Sequence, residues 1–314
     1  GEDPYCDQAR KLIAGLCGRT DLDIHFLIGG TQTNFTVIAA ALRPHQCVLC
    51  ADTGHINVHE SGAVEACGHK VSAIPSPDGK LTARQIEEAW HAHWDDETRE
   101  HMPQPRMVYI SQPTELGTIY SRKELQEISG VCRRRGLYLY MDGARLGYGL
   151  CDEDNDLDLP AIASLCDAFY IGGTKVGALF GEALVLRHEA LKEDFRYIAK
   201  QKGGRLAKGR LLGIQFLELF RDGLYFRLGA HADRLAVMLR DFCRSRGLVL
   251  PFSSGTNQQF VTMPDSVLDE LGRKYGFAYL RREDETHSTV RFCTSWATRE
   301  EDVRELMADI ARLC

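Results

Sequence analysis

No apolar run in these 314 residues approaches the ~20 that a membrane-spanning helix needs, so none is expected. No signal peptide is visible. Internal repeats and low-complexity tracts are also missing, which excludes a repeat array and a disordered polar chain. Excess charge of either sign is absent as well. A net charge of −6, with 44% hydrophobic and 26% charged residues, is ordinary for a globular protein. It gives no electrostatic footprint for nucleic acid or an anionic membrane.

Cysteine is plentiful but forms no framework. The 11 cysteines are scattered singly, mostly in apolar or helical segments such as those around Cys132, Cys166, Cys243 and Cys293. In so long a chain they read as buried, reduced thiols of a cytoplasmic protein. Cys47 and Cys50 make a lone CVLC with no second pair and no histidine cluster. Strand alternation would turn their sulfurs to opposite faces, so neither a metal site nor a redox pair is expected.

What is present is a rhythm. Short apolar runs recur at 24–28, 46–51, 70–74, 106–111, 137–141, 168–171 and 183–186. They are near-continuous, as suits strands covered on both faces. Helical patterns at 31–42, 58–67, 82–97, 121–135 and 159–166 separate several of them, with Thr82 a cap and Ser121–Glu124 a capping box. The alternation predicts an α/β fold with a mainly parallel, doubly wound sheet. After residue 187 long helical patterns occupy 188–198 and 206–246, the second broken near Arg221–Gly223. A smaller α/β segment follows, with LVLPF, QQFVTM and STVRFC as strands, a helix near 265–275 and a final one from about 298. The expected division is a large domain over 1–187, connecting helices over 188–224 and a small domain over 225–314.

Chemistry concentrates where apolar runs end. AFYIGGTK places Lys175 just past one strand, and LYLYMDGAR places Asp142 and Arg145 past the preceding one. A right-handed crossover puts both carboxyl ends on one side, where open α/β sheets hold ligands. Singly, Asp142 could be a loop cap and Lys175 a solvated lysine. Together with the glycines they form the set that pyridoxal phosphate chemistry requires, an amine for its aldehyde and an acid for its ring nitrogen. IGGTQTN opens a helix with Gly29, Gly30 and Thr31, whose backbone N–H groups suit a phosphate. It is neither a Walker loop nor a GxGxxG fingerprint. His55 leaves the second strand with Glu60 five residues on, placed to stack on a ring or polarise a hydroxyl. His59 reads as structural or solvent-facing. In SQPTELGTIY, Gln112 can touch cofactor or substrate, and Thr114 and Glu115 are candidates for the pocket wall. Arg291 sits on an apolar strand, where it needs a partner; a substrate carboxylate or a structural ion pair would serve. The basic stretch 200–210 lacks interleaved aromatics, so a phosphate at a subunit interface, contacted by Lys208 and Arg210, explains it better than nucleic acid.

GGTQTN, GHINVHESGA, SQPTELGT, DGARLGYGL, GGTKVGA and VRFCTSWAT together resemble the β-eliminating lyase/threonine aldolase family of pyridoxal phosphate enzymes. The resemblance runs in order over essentially the whole chain. It implies the aspartate aminotransferase fold (fold type I), with Lys175 as the lysine joined to the cofactor and Asp142 as partner of the pyridine nitrogen. It also implies Gly30, Thr31 and Gln32 at the phosphate, His55 stacked on the ring, and Arg145 with Arg291 at the substrate carboxylate. GEDPY is similar to a segment that normally lies inside such proteins, so a preceding segment with a substrate-gripping serine or aspartate is expected to be absent here. Well-known members carry histidine in the turn after the fourth strand, in an N-T-H-N-G pattern, whereas this chain reads QPTELG. The implied reaction is retro-aldol cleavage of an L-β-hydroxy-α-amino acid, such as L-threonine or L-allo-threonine, to glycine and an aldehyde, with His55 or a water it orients as base. β-Elimination, transamination and a non-catalytic α/β binding protein stay open as alternatives. Sites of this fold are completed by a partner subunit, so a homodimer or homotetramer is expected.

Overall fold

The computed structural model describes residues 2–314. All seven apolar runs before residue 187 form strands: β1 (Asp23–Leu27), β2 (Gln46–Ala51), β3 (Lys70–Ile74), β4 (Gln104–Ser111), β5 (Tyr138–Asp142), β6 (Ala168–Gly172) and β7 (Glu182–Leu186). They make one sheet of order β1-β7-β6-β5-β4-β2-β3. The strands from β2 to β6 pair in parallel, and β7 runs against both its neighbours, β1 and β6. The apolar runs are continuous because both faces are covered. Leu49, Val108, Leu139, Met141 and Phe169 face one core, and Val48, Met107, Tyr109, Tyr140 and Tyr170 face the other.

Helices Gly30–Ala41, Ala83–Trp94, Arg122–Arg135 and Leu159–Leu165 lie where the periodicity predicts. Thr82 and Ser121 cap theirs, each in a reciprocal box with the residue three positions on. The expected helix 58–67 is instead two short ones, His55–Val58 and Ala63–Ala66, separated by left-handed backbone at Ser61 (φ 52°). The expected 188–198 likewise divides into Glu189–Lys192 and Phe195–Gln201, at Asp194 (φ 56°). The long pattern beyond becomes Arg210–Arg221 and Leu224–Ser245. A helix at Pro4–Leu16 was not predicted, although Asp3 caps it and proline opens it, a readable start signal.

The C-terminal part holds β8 (Gln258–Pro264), β9 (Ala278–Arg282) and β10 (His287–Cys293) in the antiparallel order β8-β10-β9. LVLPF is not a strand; only Val249 bridges to Thr262. β9 leaves no periodic mark in the sequence because every residue in it is exposed, so no buried face sets a period. Leu235, Leu239, Val261, Met263, Val290 and Ile310 form a separate core beneath this sheet. Among the described residues no helix is long and apolar enough to cross a membrane.

Candidate active site

The carboxyl ends of β2, β4, β5 and β6 share one edge of the large sheet, and these strands are neighbours in it. Because β7 reverses between β6 and β1, the end of β1 and the start of β7 arrive there too. A cavity of about 250 Å³ opens at this edge, lined among others by Gly30, Thr31, His55, Asp142, Arg145 and Lys175. Residues far apart in the chain thus meet where a doubly wound sheet presents its ligand.

Asp142 ends β5 and is buried. Its Oδ2 accepts from Tyr109 Oη at 2.6 Å and Asn34 Nδ2 at 2.9 Å. Its Oδ1 accepts from Ala144 N at 2.9 Å and from Tyr170 Oη. Burial alone would raise this carboxyl, but those bonds outweigh it and hold it below the ordinary carboxylate range. The next residue must be glycine. A Cβ at Gly143 would lie 1.9 Å from Tyr170 O, so any side chain would push β5 and β6 apart.

His55 is oriented from behind. Its Nδ1 lies 2.8 Å from Glu60 Oε1, which also accepts from Asn34 Nδ2 at 2.7 Å. Burial pulls the imidazole pKa down, but the Glu60 bond and the Asp142 charge win, leaving it raised. A chain of contacts from His55 through Glu60 and Asn34 therefore reaches Asp142.

Lys175 stands past β6, its Nζ without a protein partner among the described residues. Burial, then the Arg145 guanidinium, lowers its pKa. Arg145 itself keeps a buried Nε with no acceptor. Glu182, at the start of β7, accepts from Gly173 N and Thr174 Oγ1, and burial raises it to about 7. Across the cavity, helix Gly30–Ala41 makes its first intrahelical bond from Thr33 N to Gly29 O. The N–H groups of Gly30, Thr31 and Gln32 precede that ladder and are open to an anion.

Not every expected residue arrives. The Gln112 amide is engaged with the backbone of Tyr120 on both its atoms, which removes it from the cavity. The Gln32 side chain donates to Lys202 O and accepts from Ile28 N, so only its N–H is left for a ligand. Arg291 lies on β10 as expected but lines an adjoining cavity. His59 is exposed. Lys208 and Arg210 are exposed and outside both cavities. Asn34, Ser111, Tyr109, Tyr170 and Glu182 were missed as site residues. Tyr140, two residues before Asp142, is the register partner of Tyr109, so strand pairing would have placed a tyrosine beside the acid.

Residues 1–266 match the family model of the β-eliminating lyases. The chain belongs to the β-eliminating lyase family. It is 34% identical over 321 residues to a Pseudomonas sp. protein named low specificity L-threonine aldolase, with 99% of this chain and 88% of that one covered. The solved structure of Leishmania major threonine aldolase is similar at a TM-score of 0.96 and 44% identity, covering 99% of this chain and 90% of that one. A double mutant of Thermus thermophilus aspartate aminotransferase matches at a TM-score of 0.70 and 16% identity, covering 98% and 81%, a likeness of fold alone. This family member thus has the aminotransferase fold, fold type I, and the family and fold imply pyridoxal phosphate as cofactor.

Proposed function

We propose that this lyase cleaves L-β-hydroxy-α-amino acids of the threonine and allo-threonine type to glycine and an aldehyde, using pyridoxal phosphate. The observation that carries the reading is one cavity holding an unpartnered lysine amine, an ionised aspartate, an orphaned arginine nitrogen and an open helix start. These residues fit the group: an amine for its aldehyde, a carboxylate for its ring nitrogen and N–H donors for its phosphate. The names of the relatives support the substrate class.

When bound, pyridoxal phosphate supplies an electron sink for the bonds at the substrate's α-carbon. Lys175 would hold it covalently, and the lowered pKa keeps more of that amine neutral and nucleophilic. Asp142 would keep the pyridine nitrogen protonated. Gly30, Thr31 and Gln32 would hold the phosphate through their N–H groups, with Lys208 and Arg210 of a neighbouring subunit in a homodimer or homotetramer adding charge. His55 would lie against the ring. Its Nδ1 is committed to Glu60, and that bond raises its pKa against burial. Arg145, with a buried unpartnered Nε, would anchor the substrate carboxylate, and Arg291, whose Nη1 already donates to Gln258 Oε1, would reach it only from the adjoining cavity. That anchoring decides which bond at the α-carbon stands parallel to the π-system and breaks. Eleven free thiols, most of them buried, suit the cytoplasm.

A panel of L-threonine, L-allo-threonine, L-phenylserine and L-tryptophan, assayed for both product types, tests the reading. Glycine plus an aldehyde is expected from the β-hydroxy substrates. Pyruvate and ammonia instead would overturn it in favour of β-elimination.

A further inference from the structure

A second cavity of about 290 Å³ adjoins the first. Val58, Leu116, Phe260, Tyr279 and Leu280 give it an apolar wall. Among the described residues Glu115 alone lines both cavities. It rides on the turn after β4, which is closed by Thr114 N to Thr118 O at 2.9 Å and Gly117 N to Thr114 O at 3.0 Å. Its Oε1 accepts from Ser111 Oγ at 2.7 Å and His55 N at 3.0 Å. The carboxyl is therefore held in one orientation, and Oε2 is left without a protein partner among the described residues. Burial raises its pKa, against the Ser111 bond.

Its position matters because of where a substrate must lie. A β-hydroxy amino acid with its α-carbon beside Lys175 has its β-carbon one bond further out, and a pose that turns its substituent to the apolar wall of the second cavity carries the β-carbon past Glu115. The boundary between the two cavities is Glu115. The other acids nearby are engaged. Asp142 accepts four hydrogen bonds, Glu182 accepts from Gly173 and Thr174, and Glu60, although its Oε2 has no partner among the described residues, lies behind His55 and lines neither cavity. Asp52 and His59 line the second cavity only.

We propose that Glu115 is the catalytic residue that exchanges a proton with the substrate's β-hydroxyl, an inference that rests on the aldolase reading above. In cleavage, Oε2 takes the hydroxyl proton while the oxygen's electron pair closes the aldehyde C=O and the Cα–Cβ bond breaks. The electron pair of that bond stays with the glycine carbon, which takes a proton before release, and Glu115 returns its own to solvent. In the direction of synthesis the same carboxyl protonates the nascent alkoxide.

Glu115→Gln tests this, since it keeps an acceptor for Ser111 and His55 but cannot take the proton. We expect kcat for L-threonine and L-phenylserine cleavage to fall ~100-fold or more, the usual scale for losing an acid–base group. The visible absorbance of lysine-bound cofactor, and the affinity for glycine read from its change, should stay near those of the parent, because glycine has no β-hydroxyl. Glu115→Asp should recover part of the rate. Cleavage by the glutamine variant at near-parental rate would overturn the proposal. So would loss of cofactor absorbance together with cleavage, since Glu115 would then only position His55. Lys175→Ala separates the two levels: it should lack that absorbance, and its persistence would sink the aldolase reading itself whatever Glu115→Gln does.

Discussion

Glu60 decides what His55 can do. Its hydrogen bond and its charge both raise the imidazole pKa against burial, with the Asp142 charge acting in the same direction. Glu60→Gln, which keeps an acceptor but removes the charge, should therefore lower the His55 titration, followed by proton NMR, from its value in the parent. The sign for stability follows. A group whose pKa is raised on folding adds stability that is fully present below its unfolded value and lost as pH rises through the folded one. The gap in unfolding free energy between parent and Glu60→Gln should then narrow as pH climbs from below about 6.5 past neutrality. An imidazole that titrates in the variant as it does in the parent would remove the Glu60 charge from the account. At this scale the sequence was a good guide to Lys175, Asp142, Arg145 and His55, because each follows an apolar run and a turn. It was a poor guide to Gln112, whose side chain bends back to Tyr120 for reasons no neighbouring residue announces.

The turn Thr114–Gly117 joins packing to chemistry. Gly117 has φ 79°, and a Cβ there would lie 2.6 Å from Ser254 Oγ. Gly117→Ala forces a left-handed alanine against a buried serine, at a cost of about 1–2 kcal/mol for the backbone alone. Chemical unfolding should show at least that loss. Steady-state assays at a temperature where the variant is folded should show a fall in kcat beyond any loss of folded protein, because the turn carries Glu115. Retention of full kcat would detach this turn from catalysis. Elements with strong periodicity or caps were legible: all seven strands of the large sheet, and the helices begun by Thr82 and Ser121. The helices expected over 58–67 and 188–198 are each broken by a left-handed residue, Ser61 and Asp194. Neither serine nor aspartate marks such a break by type alone.

At the scale of the molecule, the large sheet ends with β7 and the small one begins with β8, and the division at 1–187, 188–224 and 225–314 is a proposal. Helix Leu224–Ser245 serves both parts: Tyr225 belongs to the core of the large sheet, and Leu235 and Leu239 to that of the small one. The second subunit proposed above has a direct test. Lys208→Ala with Arg210→Ala should weaken cofactor binding about tenfold, the scale of one charged hydrogen bond, while each chain stays folded. Fluorescence titration with pyridoxal phosphate measures it, and unchanged affinity would remove both residues from the phosphate site.

The sequence by itself determined the α/β class, the parallel strands, the glycine turns and the lysine, acid and arginine at their ends. Periodicity and turn chemistry are short-range, and a few adjacent residues carry them. Only the tertiary structure decided the strand order, the reversal of β7 and the meeting of Glu115 with His55 across 60 positions. Those depend on which distant strands pair and which way a buried side chain can turn. Contacts between residues far apart in the chain settle both, and no local pattern encodes them.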